Sequence, residues 1–304
     1  MDDQWINREE YPFTSHYIEL GPGRMHYVDE GQGKPIVMLH GNPTWSFLYR
    51  NMIKGLSGQY RCIVPDHLGF GLSDKPRNWS YLPQDHAKNL ETLIRQLDLQ
   101  DVTLVVQDWG GPIGLSYALN NPHNVRRLVI MNTWMWSAHG DVKYETFSAL
   151  MGGLLGRFMI KRFNVFVSVL LKQAVQKKLS ADVYRHYSEP LKNPAERKGC
   201  WVFPKQIIKA DEWLEELWEK RANIADIPAL LLWGMKDFAF QERELRTWMQ
   251  LLNHHTAVTF DDAGHFLPED KGAEVCPLIA DFLRDAEPTF QREASAPRQR
   301  SSLK

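Results

Sequence analysis

The stretch Val102–Ala118, VTLVVQDWGGPIGLSYA, is the one whose reading decides the fold. Its apolar, β-branched first residues read as a strand covered on both faces, and the segment after the glycine pair reads as a helix. A single carboxylate, Asp108, stands between them. In a doubly wound sheet, ligands sit beyond the carboxyl ends of strands, where helices begin. VVQDWGG has the form of a nucleophile elbow, a strained strand-turn-helix that lifts one side chain above the sheet while small residues let strand and helix approach. Gly110 and Gly111 meet that demand on the helix side, whereas Val106 replaces the usual glycine on the strand side. Pro112 is tolerated in a first helical turn because its missing N–H had no intrahelical partner. Local sequence alone leaves a second reading for Asp108, that of a helix N-cap.

Working outward, seven further strand-like runs appear: YIEL, RMHYVDE, PIVMLH, RCIVPD, RRLVIMN, PALLLWG and AVTFDD. Helical segments at Trp45–Leu56, Pro83–Leu97, Gly111–Asn120, Glu242–Leu252 and Ala273–Leu283 alternate with them. The first two runs, joined around GPG, read as a hairpin, so the sheet is expected to be mixed at one edge. From Thr133 to about Ala225 the alternation stops and the chain becomes helical and aromatic. The expected architecture is an α/β core with an eight-stranded, mostly parallel sheet and a helical cap inserted after the sixth strand. The boundaries are 1–133 for the first part of the core, 134–225 for the cap, 226–286 for the second part, and 287–304 for a polar, disordered tail.

Composition excludes several function classes. Lysine plus arginine, 36, nearly cancels aspartate plus glutamate, 37, so no broad basic surface suits nucleic acid. Cys62, Cys200 and Cys276 are odd in number and lack metal-ligand spacing, as buried thiols in a reducing compartment would be. The beginning, MDDQWINREE, is unlike a signal peptide, and we read the chain as cytoplasmic. FNVFVSVLL, at 163–171, is too short to span a bilayer, so no membrane partner is expected. His254 and His255 are adjacent and would point opposite ways in an extended chain, and no metal site is expected.

WGMKD places Asp237 just past one strand and DDAGH places His265 just past the next. The chain order is then nucleophile, acid, histidine, the order of the α/β-hydrolases. HGNPTWSFLYR, PDHLGFGLSDKP, VVQDWGGPIGL, GMKD and DAGHF together give a sequence that closely resembles the haloalkane dehalogenases over nearly all of its length apart from the tail. The first and third motifs are the specific ones; GFGLSDKP occurs widely among α/β-hydrolases. The resemblance implies the α/β-hydrolase fold, with Asp108 as nucleophile, His265 as base, Asp237 as its acid partner, and Asn42 with Trp109 as the halide-binding pair. With neutral Asn132 after the sixth strand, it is most similar to the subfamily combining an Asp-His-Asp triad with an Asn-Trp pair. Members of that subfamily are often oligomers, so a homo-oligomer is an expectation inherited from the resemblance.

The implied reaction is hydrolysis of a haloalkane to a primary alcohol, halide and a proton through an alkyl-aspartate ester. An aspartate, with a reference pKa of about 3.9, attacks as the anion it already is at neutral pH. The ester must then be cleaved by water, with His265 taking the proton and Asp237 orienting the imidazole. Halide needs hydrogen-bond donors and no proton, which an indole N–H and an amide N–H supply. No cofactor is implied. The expected partners are a small apolar halogenated substrate, water and halide. Trp134, Trp136, Phe203 and Pro204 are taken as pocket walls, with cap packing as the plain alternative. Three other readings compete. An epoxide hydrolase would need cap tyrosines such as Tyr144, Tyr184 or Tyr187 as proton donors. A luciferase-like monooxygenase resembles relatives with an acid after the sixth strand, where this chain has Asn132. A non-catalytic ligand receptor is opposed by the intact set of nucleophile, base and acid.

Overall fold

In the computed structural model, which describes residues 4–284, eight strands form one sheet. They are β1 (Ser15–Leu20), β2 (Gly23–Glu30), β3 (Pro35–Leu39), β4 (Arg61–Pro65), β5 (Val102–Gln107), β6 (Val125–Met131), β7 (Ala229–Gly234) and β8 (His255–Phe260). The spatial order is β1-β2-β4-β3-β5-β6-β7-β8. β1 pairs with β2 and β2 with β4 in antiparallel fashion, and every other pair is parallel, so the sheet is mixed at one edge as the hairpin reading expected. This is the expected α/β-hydrolase arrangement. Every residue of β5 and β7 is buried, as continuous apolar runs require in a sheet covered on both faces, whereas the edge strand β8 is half exposed.

The covering helices are α1 (Arg50–Leu56), α2 (Pro83–Gln96), α3 (Gly110–Asn120), α10 (Glu242–Leu251) and α11 (Leu267–Arg284). The expected helix from Trp45 divides into a 3-10 turn at Ser46–Tyr49 followed by α1. The last helix starts six residues earlier than its pattern suggested, at Leu267, because Pro268 falls in its first turn, where no N–H is missed. α3 is buried from Gly110 to Leu119, which explains why it shows no amphipathic stripe.

Between β6 and β7 the chain forms helices only: α4 (Val142–Gly152), α5 (Leu154–Phe163), a π-helical turn at Phe166–Leu170, α6 (Leu171–Ala174), α7 (Ala181–Ser188), α8 (Lys198–Lys209) and α9 (Asp211–Glu219), with short 3-10 turns. This segment, called the cap below, is tied to the core by a buried carboxylate. Glu269 of α11 accepts from Arg50 of α1 at 2.6 and 2.8 Å and from the Tyr187 hydroxyl of α7 at 2.5 Å. Satisfied on both oxygens, that carboxylate joins three helices. The tail reading for 287–304 falls outside the described residues.

Candidate active site

Asp108 follows β5 with φ of +49°, a left-handed conformation that costs a non-glycine residue strain and is held only where neighbours enforce it. They do so here. The Asp108 N–H donates to the Asn132 carbonyl at 3.1 Å, and the Thr133 hydroxyl donates to the Asp108 carbonyl at 2.5 Å. The N-cap reading is therefore replaced: the carboxylate turns away from the helix start and accepts the backbone N–H of Asn42 on Oδ1 at 2.8 Å. Gly41 allows that approach, since a Cβ there would lie 2.0 Å from Oδ1. Gly111 plays the same part on the helix side, where a Cβ would meet the Thr133 hydroxyl at 1.9 Å.

The loop bearing Asn42 is fixed by buried histidines. Nδ1 of His40 lies 2.8 Å from the Gly41 carbonyl, and its Nε2 accepts the His67 N–H at 2.9 Å. Burial lowers the His40 pKa, keeping the ring neutral in this role. The Asn42–Pro43 peptide is cis.

His265 is brought in from the loop after β8. Its N–H donates to the Ala174 carbonyl at 3.0 Å, and Asp270 accepts the Gly264 N–H at 2.8 Å and the Gln176 and Lys177 N–H groups at 2.8 and 3.0 Å. The histidine loop is thus bound to the cap as well as to the sheet. His265 Nδ1 lies 2.9 Å from Asp237 Oδ2, and Nε2 lies 3.6 Å from Asp108 Oδ2. Nucleophile candidate, imidazole and acid form one line from three strand ends, all buried. Burial opposes the charged imidazole, but Asp237 and Asp108 outweigh it and push the His265 pKa up to about 10.

Beside this line opens a largely apolar cavity of about 640 Å³ under the cap, lined among others by Asn42, Asp108, Trp109, Trp134, Pro204, Phe240 and His265. Asn42 Nδ2 lies 3.5 Å from the Cys200 carbonyl, at the outer limit of a hydrogen bond, and its Oδ1 has no partner among the described residues. The amide is held only loosely by the protein. Trp134 and Pro204 are walls of the cavity, as expected. Trp136 and Phe203 are not. Trp136 packs against Trp218 and Trp248, and Phe203 lies fully buried behind Trp109, stacked on its ring at 5.1 Å. Among the described residues, no three His, Cys, Asp or Glu side chains gather as a metal-binding group would.

Two polar residues have roles that the sequence reading missed: Gln107 was not singled out, and Asn132 was noted only for its lack of charge. Gln107, the last residue of β5, donates Nε2 to the His265 carbonyl at 3.0 Å and lies 3.3 Å from the ring Nε2. Asn132 donates Nδ2 to Asp237 Oδ2 at 3.0 Å. Each ends an otherwise apolar strand run, and a polar side chain there must find a buried partner. That was the available signal.

With this geometry in place, comparison with known proteins settles the family. The alpha/beta hydrolase fold family matches residues 34–272. The chain belongs to the α/β-hydrolase family. It is 38% identical over 271 residues to haloalkane dehalogenase 2 of Mycobacterium tuberculosis strain H37Rv, covering 88% of this chain and 94% of the relative. It is also 38% identical to a cis-3-alkyl-4-alkyloxetan-2-one decarboxylase of Xanthomonas campestris pv. campestris, covering 90% of this chain and 97% of that one. Among solved structures it is similar to haloalkane dehalogenase DbeA from Bradyrhizobium elkani, with a TM-score of 0.80 and 26% identity over 90% of this chain and all of that one. These relatives are enzymes, and the hydrolase expected from the motifs is the family found.

Proposed function

We propose that this α/β-hydrolase removes halide from haloalkanes by hydrolysis, with Asp108 forming the covalent ester. The observation that carries the reading is the line Asp108, His265, Asp237, whose first two members line an apolar cavity that also presents Asn42 and Trp109 while Asp237 lies buried behind the imidazole. Asp108 Oδ2 attacks the halogen-bearing carbon while Oδ1 stays with the Asn42 N–H. The carbon–halogen electron pair leaves with the halide, which the Trp109 indole and the Asn42 amide receive as hydrogen-bond donors. The Asn42 amide suits this role because the protein engages it so weakly.

Ester formation removes the negative charge of Asp108. Two of the interactions that raise the His265 pKa vanish with it, so the imidazole can give up its proton and act as a base. Water then loses a proton to His265 Nε2 and attacks the carboxyl carbon of the ester. The developing oxyanion at Oδ1 is met by the Asn42 N–H. The bond from the acyl carbon to the alkyl oxygen breaks, the alcohol leaves with a proton, and the Asp108 carboxylate returns. The sum is haloalkane plus water to alcohol, halide and a proton.

Epoxide opening is less well served, because it needs an acid at the alkoxide. Tyr144 lines the cavity, but its hydroxyl donates to the Ala239 carbonyl and to Glu244 at 2.9 and 3.0 Å. Tyr187 is fully buried on Glu269.

The deciding experiment mixes purified protein with a bromoalkane and measures free bromide, and repeats it with His265→Phe and 1,2-dibromoethane under mass spectrometry. Bromide from the wild type and an alkylated His265→Phe enzyme are expected; no bromide at all overturns the reading. A second reading is favoured by one observation, the equal 38% identity to the Xanthomonas decarboxylase. Carbon dioxide and alkene from a cis-3-alkyl-4-alkyloxetan-2-one, with no halide from bromoalkanes, would replace dehalogenation by that activity.

A further inference from the structure

The outer side of the cap carries a surface that the reaction does not use. Leu154, Leu155, Phe158 and Phe163 of α5 are 87, 61, 58 and 58% exposed, and Leu150 of α4 and Val169 of the π-helical turn are 50 and 42% exposed. Single exposed apolar residues are ordinary, but six large ones between 150 and 169 mark an interaction surface. On α5, Leu154, Phe158 and Arg162 recur every fourth residue and share one side of the helix, while Gly156 and Ile160 are buried on the other.

Charge is segregated in the same region. From Thr146 to Leu179 there is no aspartate or glutamate, whereas Arg157, Lys161, Arg162, Lys172, Lys177 and Lys178 are all exposed. The chain as a whole has a formal charge of −1, so this cationic stretch is a local feature. Val142 and Leu150 are exposed and also line the cavity, which places an edge of the cavity beside the apolar surface.

We propose that this side of the cap docks on an anionic lipid surface. Leu154, Leu155 and Phe158 enter the boundary between headgroups and acyl chains, and Arg157, Lys161 and Arg162 meet the headgroup phosphates. Apolar residues interleaved with lysine and arginine on one helix face are the pattern of a helix lying in that interface. A second copy of the chain fits less well, because an isologous contact would set these cations against their own counterparts. No described helix is long and apolar enough to cross a membrane, and docking of this kind needs none. An apolar substrate would then reach the cavity from the bilayer. The proposal stands apart from the reaction assigned to Asp108.

Vesicle flotation tests it directly. The full chain is mixed with vesicles of phosphatidylcholine alone, or of phosphatidylcholine with about 30% phosphatidylglycerol, at about 0.1 M and 0.5 M salt. The expected result is at least tenfold greater partition onto the anionic vesicles, reduced at high salt. Each cation near such a surface contributes roughly a fivefold change in partition. Lys161→Glu with Arg162→Glu should therefore cost tenfold or more, and Leu155→Glu with Phe158→Glu should also abolish flotation. Unchanged far-ultraviolet circular dichroism and unfolding midpoint keep the variants interpretable, and if one pair unfolds, the other carries the test. Wild type that does not float with anionic vesicles overturns the proposal, as do folded variants that float like wild type. A dimer in sedimentation that the same substitutions dissolve, without vesicle binding, assigns the surface to a second copy and also overturns it.

Discussion

Asn132, at the end of β6, donates its amide to Asp237 Oδ2 at 3.0 Å and accepts the Gly234 N–H on its Oδ1 at 2.8 Å. The same Oδ2 meets His265 Nδ1 at 2.9 Å, while Oδ1 of Asp237 accepts the Ala239 N–H at 2.6 Å. Both oxygens of this buried carboxylate are therefore occupied by donors. A neutral residue after the sixth strand gives the single acid after the seventh a donor, where a second carboxylate would have met it with like charge.

Asn132→Asp should accordingly destabilise the fold. Two carboxylates about 3 Å apart cannot both ionise, so one is held protonated with a raised pKa. A carboxylate raised above its unfolded value of about 4 contributes stability below that value and loses it as pH rises towards the folded one. A loss on the order of 3 kcal/mol is expected at pH 8, and a smaller one at pH 5. Urea unfolding at the two pH values checks this, and an equal loss at both rejects it.

Replacing Asp237 by Asn should leave alkylation of Asp108 and slow hydrolysis of the ester by roughly a thousandfold or more, because the imidazole loses the partner that orients it. Rapid mixing with a bromoalkane should give one burst of bromide per enzyme followed by very slow turnover. Asp262, although only three residues before the histidine as Asp237 is not, is exposed and paired with Lys271 at 2.8 Å. Asp262→Asn should turn over like the wild type; equal damage from both changes contradicts the assignment of the acid.

Trp109→Phe keeps the ring that stacks on Phe203 and removes the indole N–H. Hydrogen bonds to a charged group contribute about 1.5 to 3 kcal/mol, so halide release should slow by about ten- to a hundredfold. Asn42→Ala should do the same while keeping the backbone N–H on Asp108. The measurement is kcat/KM for a bromoalkane together with bromide inhibition, which should weaken in both variants. Full activity in either excludes that donor.

The sheet was legible because each parallel strand is a continuous apolar run, and the elbow was legible because VVQDWGG concentrates its glycines where strand and helix meet. Less legible was whatever depends on three-dimensional partners. Trp136 and Phe203 looked like pocket walls because aromatic residues line cavities and fill cores alike, and only packing shows that Phe203 backs Trp109 while Trp136 joins Trp218 and Trp248. The bond from Asn132 to Asp237 spans 105 positions, and nothing local to either residue announces it. The apolar outer side of α5 was invisible for a related reason: LLGRFMIKRF does not itself tell which of its apolar residues a neighbour covers, and only the fold leaves Leu154, Leu155 and Phe158 exposed.

His265 should make the folded protein progressively less stable in alkali. Its pKa is raised from 6.5 to about 10 against the effect of burial by the carboxylates of Asp237 and Asp108. A raised histidine contributes its full stabilisation below the unfolded value, and that contribution is lost as pH rises through the folded value. Between about pH 7 and 10, one proton retained by the folded state gives a slope approaching 1.4 kcal/mol per pH unit. Other groups titrate in this window, so the slope is read as a difference between proteins. Asp108→Asn removes one of the two charges and should flatten the dependence while moving the imidazole titration, followed by NMR, to lower pH. His265→Phe should remove this contribution altogether. If wild type and His265→Phe lose stability in parallel from pH 7 to 10, the imidazole is not held charged by the two carboxylates, and the release of its proton on ester formation loses its physical basis.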